Sequence, residues 1–408
     1  MQAKKRRKSE SRRAALDIGS SKIACMIVEH RAASGDGAAL ADALVPHVLG
    51  IGYQRSQGIK GGVVLDPAKA EDAIRAAVDK AERLAGLTID DVHVSINAGR
   101  LRSHNYGAML ETAGARIKDS HVDVLHRKGW QHLANEEDAI LHAQPIDYAL
   151  DGATGLEHPK GYRGRHLFAD FHAVSADMAQ IRQHLSCIED SYLSPASVIA
   201  APYASALATI RPNEAHEGVM VLDLGGGTSS LAIFVNHRFV FASSLAKGGQ
   251  QISAALARRF KMSVEEAERL KLHIGRQLDD RHAYPKAHEL MERQLMGIFL
   301  HEKQKIQDAG FPLEALRYVV LTGGGALYYD APRLAAQVFG LPTRVGLPKA
   351  VSGLPPQLVN PAFSALWGII AYQTQKPLEL ADRFAGPLGK SVKGSFSRLG
   401  SWLHQLTD

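Results

Sequence analysis

The stretch Val219-Met220-Val221-Leu222-Asp223-Leu224-Gly225-Gly226-Gly227-Thr228-Ser229-Ser230-Leu231-Ala232-Ile233-Phe234-Val235 joins two apolar segments through an acid and three glycines. Two short apolar runs joined this way predict a β-hairpin. Three consecutive glycines remove every Cβ from the turn, so a ligand can approach the backbone closely. Successive N–H groups at such a turn favour an anion. A carboxylate beside that anion is repelled unless a metal lies between them. Asp223 therefore points to a divalent cation bridging protein and phosphate. A hairpin without a ligand is the plainer alternative, but one glycine suffices for that.

The plan repeats near the N-terminus. Arg13-Ala14-Ala15-Leu16-Asp17-Ile18-Gly19-Ser20-Ser21-Lys22-Ile23-Ala24-Cys25-Met26-Ile27-Val28 is again strand, Asp-x-Gly turn, strand. Ser20 and Ser21 offer hydroxyl and N–H donors, and Lys22 offers a positive charge. Alone this is an ordinary turn. Paired with the Asp223 hairpin, it predicts two α/β lobes gripping a polyphosphate from two sides.

A third turn, Thr322-Gly323-Gly324-Gly325, follows the apolar run Tyr318 to Leu321 and precedes a helical pattern over Ala331 to Phe339. It suits a flat base or ribose lying against backbone, or a simple strand–helix connection. Lys247-Gly248-Gly249-Gln250-Gln251 leads into the helical period Ile252, Leu256, Phe260. Ser263 with Glu266 is a capping box that starts a further helix. On that helix Glu268 and Lys271 share one face, and residue type alone reads them as a solvated ion pair.

This order of motifs resembles the actin-like ATPase superfamily. Closer features resemble its bacterial cell-division branch, the FtsA family. They are Ala14 to Val28, Leu141 to Asp151, Gly218 to Phe234, Gly248 to Ser253, Ala267 to Lys271, Val320 to Gly346 and the terminal Leu399-Gly400-Ser401-Trp402-Leu403. The resemblance implies a two-lobed actin-like (ribonuclease H-like) α/β fold with an inserted small α+β subdomain and a C-terminal amphipathic helix. It implies ATP and Mg²⁺ as ligands. Asp17, Gly19, Ser20, Ser21 and Lys22 would face the β- and γ-phosphates, with Asp17 and Asp223 near the metal through phosphates and water. Gly225, Gly226, Gly227 and Thr228 would hold phosphate from the other lobe. Gly248, Gly249 and Gln250 would line the ribose, Glu268 and Lys271 would contact ribose and adenine, and Gly323, Gly324 and Gly325 would lie against the base. Ser230 and Gln250 stand where many relatives carry acids. Their loss bears on hydrolysis more than on binding, so slow ATPase activity at most is expected, and catalytic residues stay unassigned.

A chain of 408 residues, 45% hydrophobic, is long enough for two lobes with their own cores. Its two cysteines, Cys25 and Cys187, lie in apolar surroundings without metal spacing, as in a reducing compartment. No run of about 20 apolar residues is present, and no signal peptide is visible. The net charge of +6 gathers in the first thirteen residues, where Lys4, Lys5, Arg6, Arg7, Lys8, Arg12 and Arg13 oppose only Glu10. Such a tail either solubilises or meets an anionic surface.

With the resemblance, the chain divides into a basic disordered tail (1–13), a first lobe (14–91), the inserted subdomain (92–175), a return to the first lobe (176–210), a second lobe (211–355), a helix back to the first lobe (356–375), a linker (376–390) and an amphipathic membrane-targeting helix (391–408). In the first lobe, Ala70, Ala73, Ile74, Ala77, Val78, Ala81 and Leu84 follow a helical period after Pro67. In the tail, Val392, Phe396, Leu399, Trp402, Leu403 and Leu406 fall on one helical face, with Lys393 and Arg398 at its borders. Sixteen residues reach only about 24 Å, too short to span a bilayer but suited to its interface. A helix docked on the protein's own core is the alternative.

The expected function is an ATP-binding division protein that self-assembles into an actin-like protofilament. It anchors the ring of the tubulin-like protein FtsZ to the cytoplasmic face of the inner membrane and recruits later division proteins. No nucleic-acid partner is expected. Two other readings stand beside it: an actin-like adaptor of another membrane machine, of the pilus-assembly type, and a small-metabolite kinase. A kinase needs a carboxylate base at the acceptor hydroxyl, and no convincing base motif is present.

Overall fold

The protein is described by a computed structural model covering residues 12–32, 44–133, 138–276, 283–349, 353, 355–375 and 377–384. The expected membrane helix, including Val392, Lys393, Phe396, Arg398, Leu399, Trp402, Leu403 and Leu406, lies outside the described residues, as does the basic run 1–11.

The first lobe is built on β1 (Arg12–Ile18), β2 (Lys22–Ala32), β3 (Leu44–Arg55), the short pair β4 (Ile59–Lys60) and β5 (Val63–Val64), helix α1 (Pro67–Ala85) and β6 (Asp91–Ile96). Arg12 and Arg13 thus belong to β1 rather than to the tail, and Arg12 pairs with Glu29 across the hairpin. Helix α1 starts where the sequence predicts. Asp66 accepts the Lys69 N–H at 3.2 Å, Pro67 opens the first turn, and Gly86 ends it at φ 65°. Ala70, Ala73, Ile74, Ala77, Val78 and Ala81 are buried, but Leu84 is exposed. The helix packs against β3 through small residues, because Gly50 sits directly beneath Ala81 and Ala85, and this close approach leaves Leu84 off the contact.

The inserted unit comprises β7 (Leu101–Glu111), α2 (Asp119–Leu133), β8 (Ala139–Leu150) and β9 (His166–Ala176). Its antiparallel sheet runs β7-β9-β8. Ile117, Leu125, Leu133, Leu167 and Phe171 form a separate small core there. The chain returns through α3 (Met178–Glu189), β10 (Ser194–Ala200) and α4 (Ala201–Thr209), then crosses by α5 (Pro212–Glu217).

The second lobe holds β11 (Val219–Leu224), β12 (Ser229–Val235), β13 (Arg238–Leu245), α6 (Gly249–Phe260), α7 (Val264–Arg276), α8 (Pro285–Asp308), β14 (Tyr318–Thr322), α9 (Ala331–Phe339) and β15 (Thr343–Val345). Its strands follow the order β13-β12-β11-β14-β15, and those of the first lobe follow β10-β6-β1-β2-β3. Reading one sheet backwards gives the other: a central strand antiparallel to its hairpin partner on one side and parallel to a crossover strand on the other. Asp17 on β1 and Asp223 on β11 therefore occupy equivalent places in two copies of one topology.

Strand β11 is buried on both faces, which explains its unbroken apolar run. Val219 and Val221 join the core shared with the first lobe, while Met220, Leu222 and Leu224 join the core under α6 to α9. Helix α10 (Ser364–Gln375) packs on α4, and any Cβ at Gly368 would overlap the Ala204 carbonyl oxygen.

The segment expected to be a linker from 376 differs in its first part. Residues Leu380–Phe384 form a short helix, α11, with Leu380 fully buried in the core of the inserted unit. Just before it, the buried Glu379 carboxylate accepts from Ala143 N–H at 3.0 Å and Gln144 Nε2 at 2.7 Å, and it meets His142 Nδ1 at 2.8 Å. Proline and glycine content marked the segment as a connection, but the long-range partners of Glu379 dock its N-terminal end.

Candidate functional site

Each hairpin turn closes on itself. The Gly19 N–H bonds the Lys22 carbonyl at 3.1 Å, and the Gly225 N–H bonds the Thr228 carbonyl at 2.9 Å. The two turns then press together. A Cβ at Gly226 would stand 2.6 Å from Ser21 Cβ, and one at Gly227 would stand 2.6 Å from Ser20 Cβ. Real Cβ contacts never come so near, so the second and third glycines serve the approach of one lobe to the other.

Ser20 is the hub of this contact. Its carbonyl accepts from Gln250 Nε2 at 2.9 Å, and its hydroxyl accepts from the Gly62 N–H at 3.0 Å. Nearby, Asn97 Nδ2 of the first lobe donates to Thr228 Oγ1 of the second at 2.9 Å. The carbonyls of Gly225 and Gly226 accept from the N–H groups of Gly249 and Gln250 at 3.0 and 2.7 Å, tying the glycine turn to the start of α6.

Beside this junction lies a cavity of about 320 Å³. Most of the residues singled out from sequence line it: Asp17, Gly19, Ser20, Ser21 and Lys22 from one hairpin, and Asp223, Gly225, Gly226 and Thr228 from the other. Gly248, Gly249, Glu268, Lys271, Gly323, Gly324 and Gly325 complete the set. Gly227 and Gln250 do not reach the wall. Gly227 is covered by Ser20, and the Gln250 amide is turned to the Ser20 carbonyl. Lys22 lines the cavity, yet its ammonium donates to the Ala362 carbonyl and lies 4.7 Å from the Phe363 ring centroid.

Two carboxylates face this space. Asp17 Oδ1 accepts from Ser95 Oγ at 2.7 Å, and Asp223 Oδ2 accepts from the Ser205 hydroxyl. Burial first, and then the like charge of Asp17, push the Asp223 carboxyl up to about 6. The Ser205 bond and Lys22 oppose that rise. Each carboxylate keeps one oxygen outside these bonds. Two hard oxygen donors that repel each other are a fitting donor set for a divalent cation such as Mg²⁺. Ser230 is the cross-strand partner of Asp223. A hydroxyl at that position spares Asp223 a second like charge directly opposite.

On the other side, Glu268 and Lys271 are not a free surface pair. Lys271 Nζ meets Glu268 Oε2 at 2.7 Å and the Gly249 carbonyl at 3.0 Å, and the Ser253 hydroxyl donates to Glu268. The pair clamps α7 to the first turn of α6. Gly323 adopts φ 78°, and a Cβ there would overlap Asp223. The apolar wall, Met291, Leu295 and Ile298 of α8 with Leu272 and Tyr328, was missed in the sequence. Its one signal was the helical spacing of Met291, Leu295 and Ile298, which reads equally as core. Asn97 and Gly62 carried no signal at all.

A model of the family "Cell division protein FtsA" matches residues 220–368, and one described as "SHS2 domain inserted in FTSA" matches residues 98–175. The solved "PilM-PilN type IV pilus biogenesis complex" superposes at TM-score 0.63 with 16% identity, over 90% of this chain and 99% of that one. The ethanolamine utilization protein EutJ from Carboxydothermus hydrogenoformans superposes at TM-score 0.50 with 15% identity, over 88% of this chain and 89% of that one. These likenesses, with the duplicated sheets, establish the two-lobed actin-like ATPase fold with an inserted unit. The cell division protein FtsA of Rhizobium meliloti is 33% identical over 96% of this chain and 93% of its own length. That of Agrobacterium fabrum is 31% identical over 96% and 94%. Likeness of that extent, spanning both lobes and the inserted unit, makes the chain a member of the FtsA family of cell division proteins.

Proposed function

We propose that this FtsA-family chain binds Mg²⁺-ATP between its lobes, self-assembles as an actin-like protofilament, and ties the FtsZ ring to the cytoplasmic face of the inner membrane. Recruitment of later division proteins belongs to the same reading. One observation carries it: two equivalent Asp-x-Gly hairpins from duplicated sheets line one cavity of about 320 Å³, each bringing a carboxylate. In this reading Asp17 and Asp223 hold Mg²⁺, which offsets phosphate charge when bound. The hairpin residues Gly19, Ser20, Ser21 and Lys22 and, from the second turn, Gly225, Gly226 and Thr228 orient the phosphates. Glu268, Lys271 and Gly323 to Gly325 receive the nucleoside against the apolar wall of α8.

The acids lining the cavity are Asp17, Asp223 and Glu268. Glu268 is held by Lys271 and Ser253, so no lining carboxylate is left over as a base for a second substrate. That favours an assembly protein over a metabolite kinase. Attachment would come from Val392 to Leu406, one weak amphipathic helix per chain, made firm by avidity in the assembled state.

The test is sedimentation of the full chain, and of a chain lacking Val392 to Asp408, with anionic liposomes, with and without Mg²⁺-ATP. The full chain is expected to cosediment, and more strongly with ATP, while the shortened chain stays in solution. Equal lipid binding by both would remove the anchor role. Absence of saturable binding by a fluorescent ATP analogue would remove the nucleotide role.

A further inference from the structure

A second cavity, of about 480 Å³, lies where the inserted unit, both lobes and the start of the C-terminal segment meet. Its size is that of a small-molecule site. Three cations line it: Arg211 from the crossing into the second lobe, Arg238 at the start of β13, and Lys349 after β15. Among the described residues none of these three side chains has a hydrogen bond or an ion pair. His158 and His237 also line the wall, against a single carboxylate, Glu157.

The acids close by are already engaged. Glu214 takes the fork of Arg344, with Nε to Oε1 at 2.6 Å, and also accepts the Arg211 backbone N–H at 2.9 Å. Glu217 accepts from the Tyr318 hydroxyl at 2.7 Å, and Asp147 from the Gly155 N–H at 3.2 Å. Glu379 is bound by His142, Ala143 and Gln144. Three cations and two histidines thus line one space against the single carboxylate of Glu157, with the Arg211 charge also felt by Glu214 behind the wall, and positive charge is in excess there. Gathering like charges around a cavity costs free energy unless an anion enters it. Guanidinium forks match phosphate oxygens two at a time, and a lysine adds a point charge.

We propose that this cavity binds a phosphate group, bridging the second lobe through Arg238 and Lys349 to the lobe crossing through Arg211. The site is separate from the nucleotide cleft, and Pro377 and Leu378 on its wall place it against the docked segment that leads to the C-terminal tail. The phosphate is either that of a soluble phosphorylated compound or that of a lipid headgroup, and the experiment separates the two.

Pyrophosphate is titrated at constant ionic strength into the full chain and into the triple variant Arg211→Ala, Arg238→Ala, Lys349→Ala. The same proteins are sedimented with phosphatidylglycerol and with phosphatidylcholine vesicles. A control triple variant, Lys69→Ala, Lys118→Ala, Lys286→Ala, removes equal charge elsewhere. Pyrophosphate affinity falling at least tenfold in the first variant and not in the control supports a soluble source. An equal loss seen only with phosphatidylglycerol vesicles supports a headgroup. Either result comes with unchanged ATP affinity, which keeps it distinct from the nucleotide reading. If neither probe distinguishes the first variant from wild type and the control, the proposal is overturned. Should the triple variant unfold, the single variants Lys349→Glu and Arg238→Gln carry the same comparison.

Discussion

Gln250 of the second lobe donates its side-chain amide to the Ser20 carbonyl of the first at 2.9 Å. The bond runs behind the candidate nucleotide cavity rather than into it. A glutamate at this position has no hydrogen to offer that carbonyl when ionised. The amide thus acts as a clasp between lobes. Gln250→Ala is expected to lower stability by about 1 kcal/mol and to speed amide exchange in the Asp17 to Lys22 hairpin, as read by hydrogen–deuterium exchange. Unchanged exchange there would remove the clasp.

The contact between glycine turn and serine turn makes a stronger prediction. Gly226→Ala and Gly227→Ala each place a methyl group 2.6 Å from a serine Cβ, with backbone on both sides. Each is expected to hold the lobes apart and weaken ATP binding by tenfold or more, about 1.4 kcal/mol. Circular dichroism should be preserved, because Gly226 and Gly227 lie in a turn outside both apolar cores. Normal ATP affinity in both variants would show that the hairpins need not touch.

Buried histidines should make the molecule acid-sensitive, in the inserted unit through His172 and His126 and in the first lobe through His93, which burial also holds down to about 4. Burial holds His172 down to about 3 and His126 down to about 4, against an ordinary value of 6.5. The unfolded chain therefore takes up protons that the folded chain refuses as pH falls below 6.5. The stability due to the neutral rings is fully present above 6.5 and is lost as pH falls toward about 4 and then about 3. Urea unfolding followed across this window should show falling stability, and His172→Gln should flatten that slope. An unaltered slope would place the acid response elsewhere.

Glu379 is the anchor of α11. In Glu379→Ala the donors of Ala143 and Gln144 lose their acceptor, and His142 Nδ1 loses its partner in a buried place. The expected cost is about 2 to 4 kcal/mol. Limited proteolysis should then cut between 376 and 384, where wild type resists. Equal resistance in the variant would mean that Leu380 alone holds the segment.

Some of this was legible along the chain. Pro67 and the small-residue stripe predicted α1, and the capping box of Ser263 and Glu266 predicted α7. Both Asp-x-Gly hairpins could be read directly, because a hairpin depends on neighbours a few residues apart. Those local signals, taken with their order, led to the two-lobed fold. Other features had no local signal. Leu84 continues the helical period yet lies exposed, because glycine at position 50 brings α1 closer than the period can say. Pro377 and its neighbours read as a connection, because the partners of Glu379 lie more than two hundred positions away.

The sequence by itself determined which residues could make turns, caps and strands, since those depend on backbone preference and on neighbours in the chain. Only the tertiary structure decided what they do together. It turned Gly227 from a ligand-facing position into the contact between lobes, and gave Gly226 both that contact and a place on the cavity wall. It turned Gln250 away from the cavity, and set Asp17 near enough to Asp223 to raise its carboxyl. Close approach, burial and the charge of a distant partner are set by register and packing across the whole chain, and no local pattern encodes them.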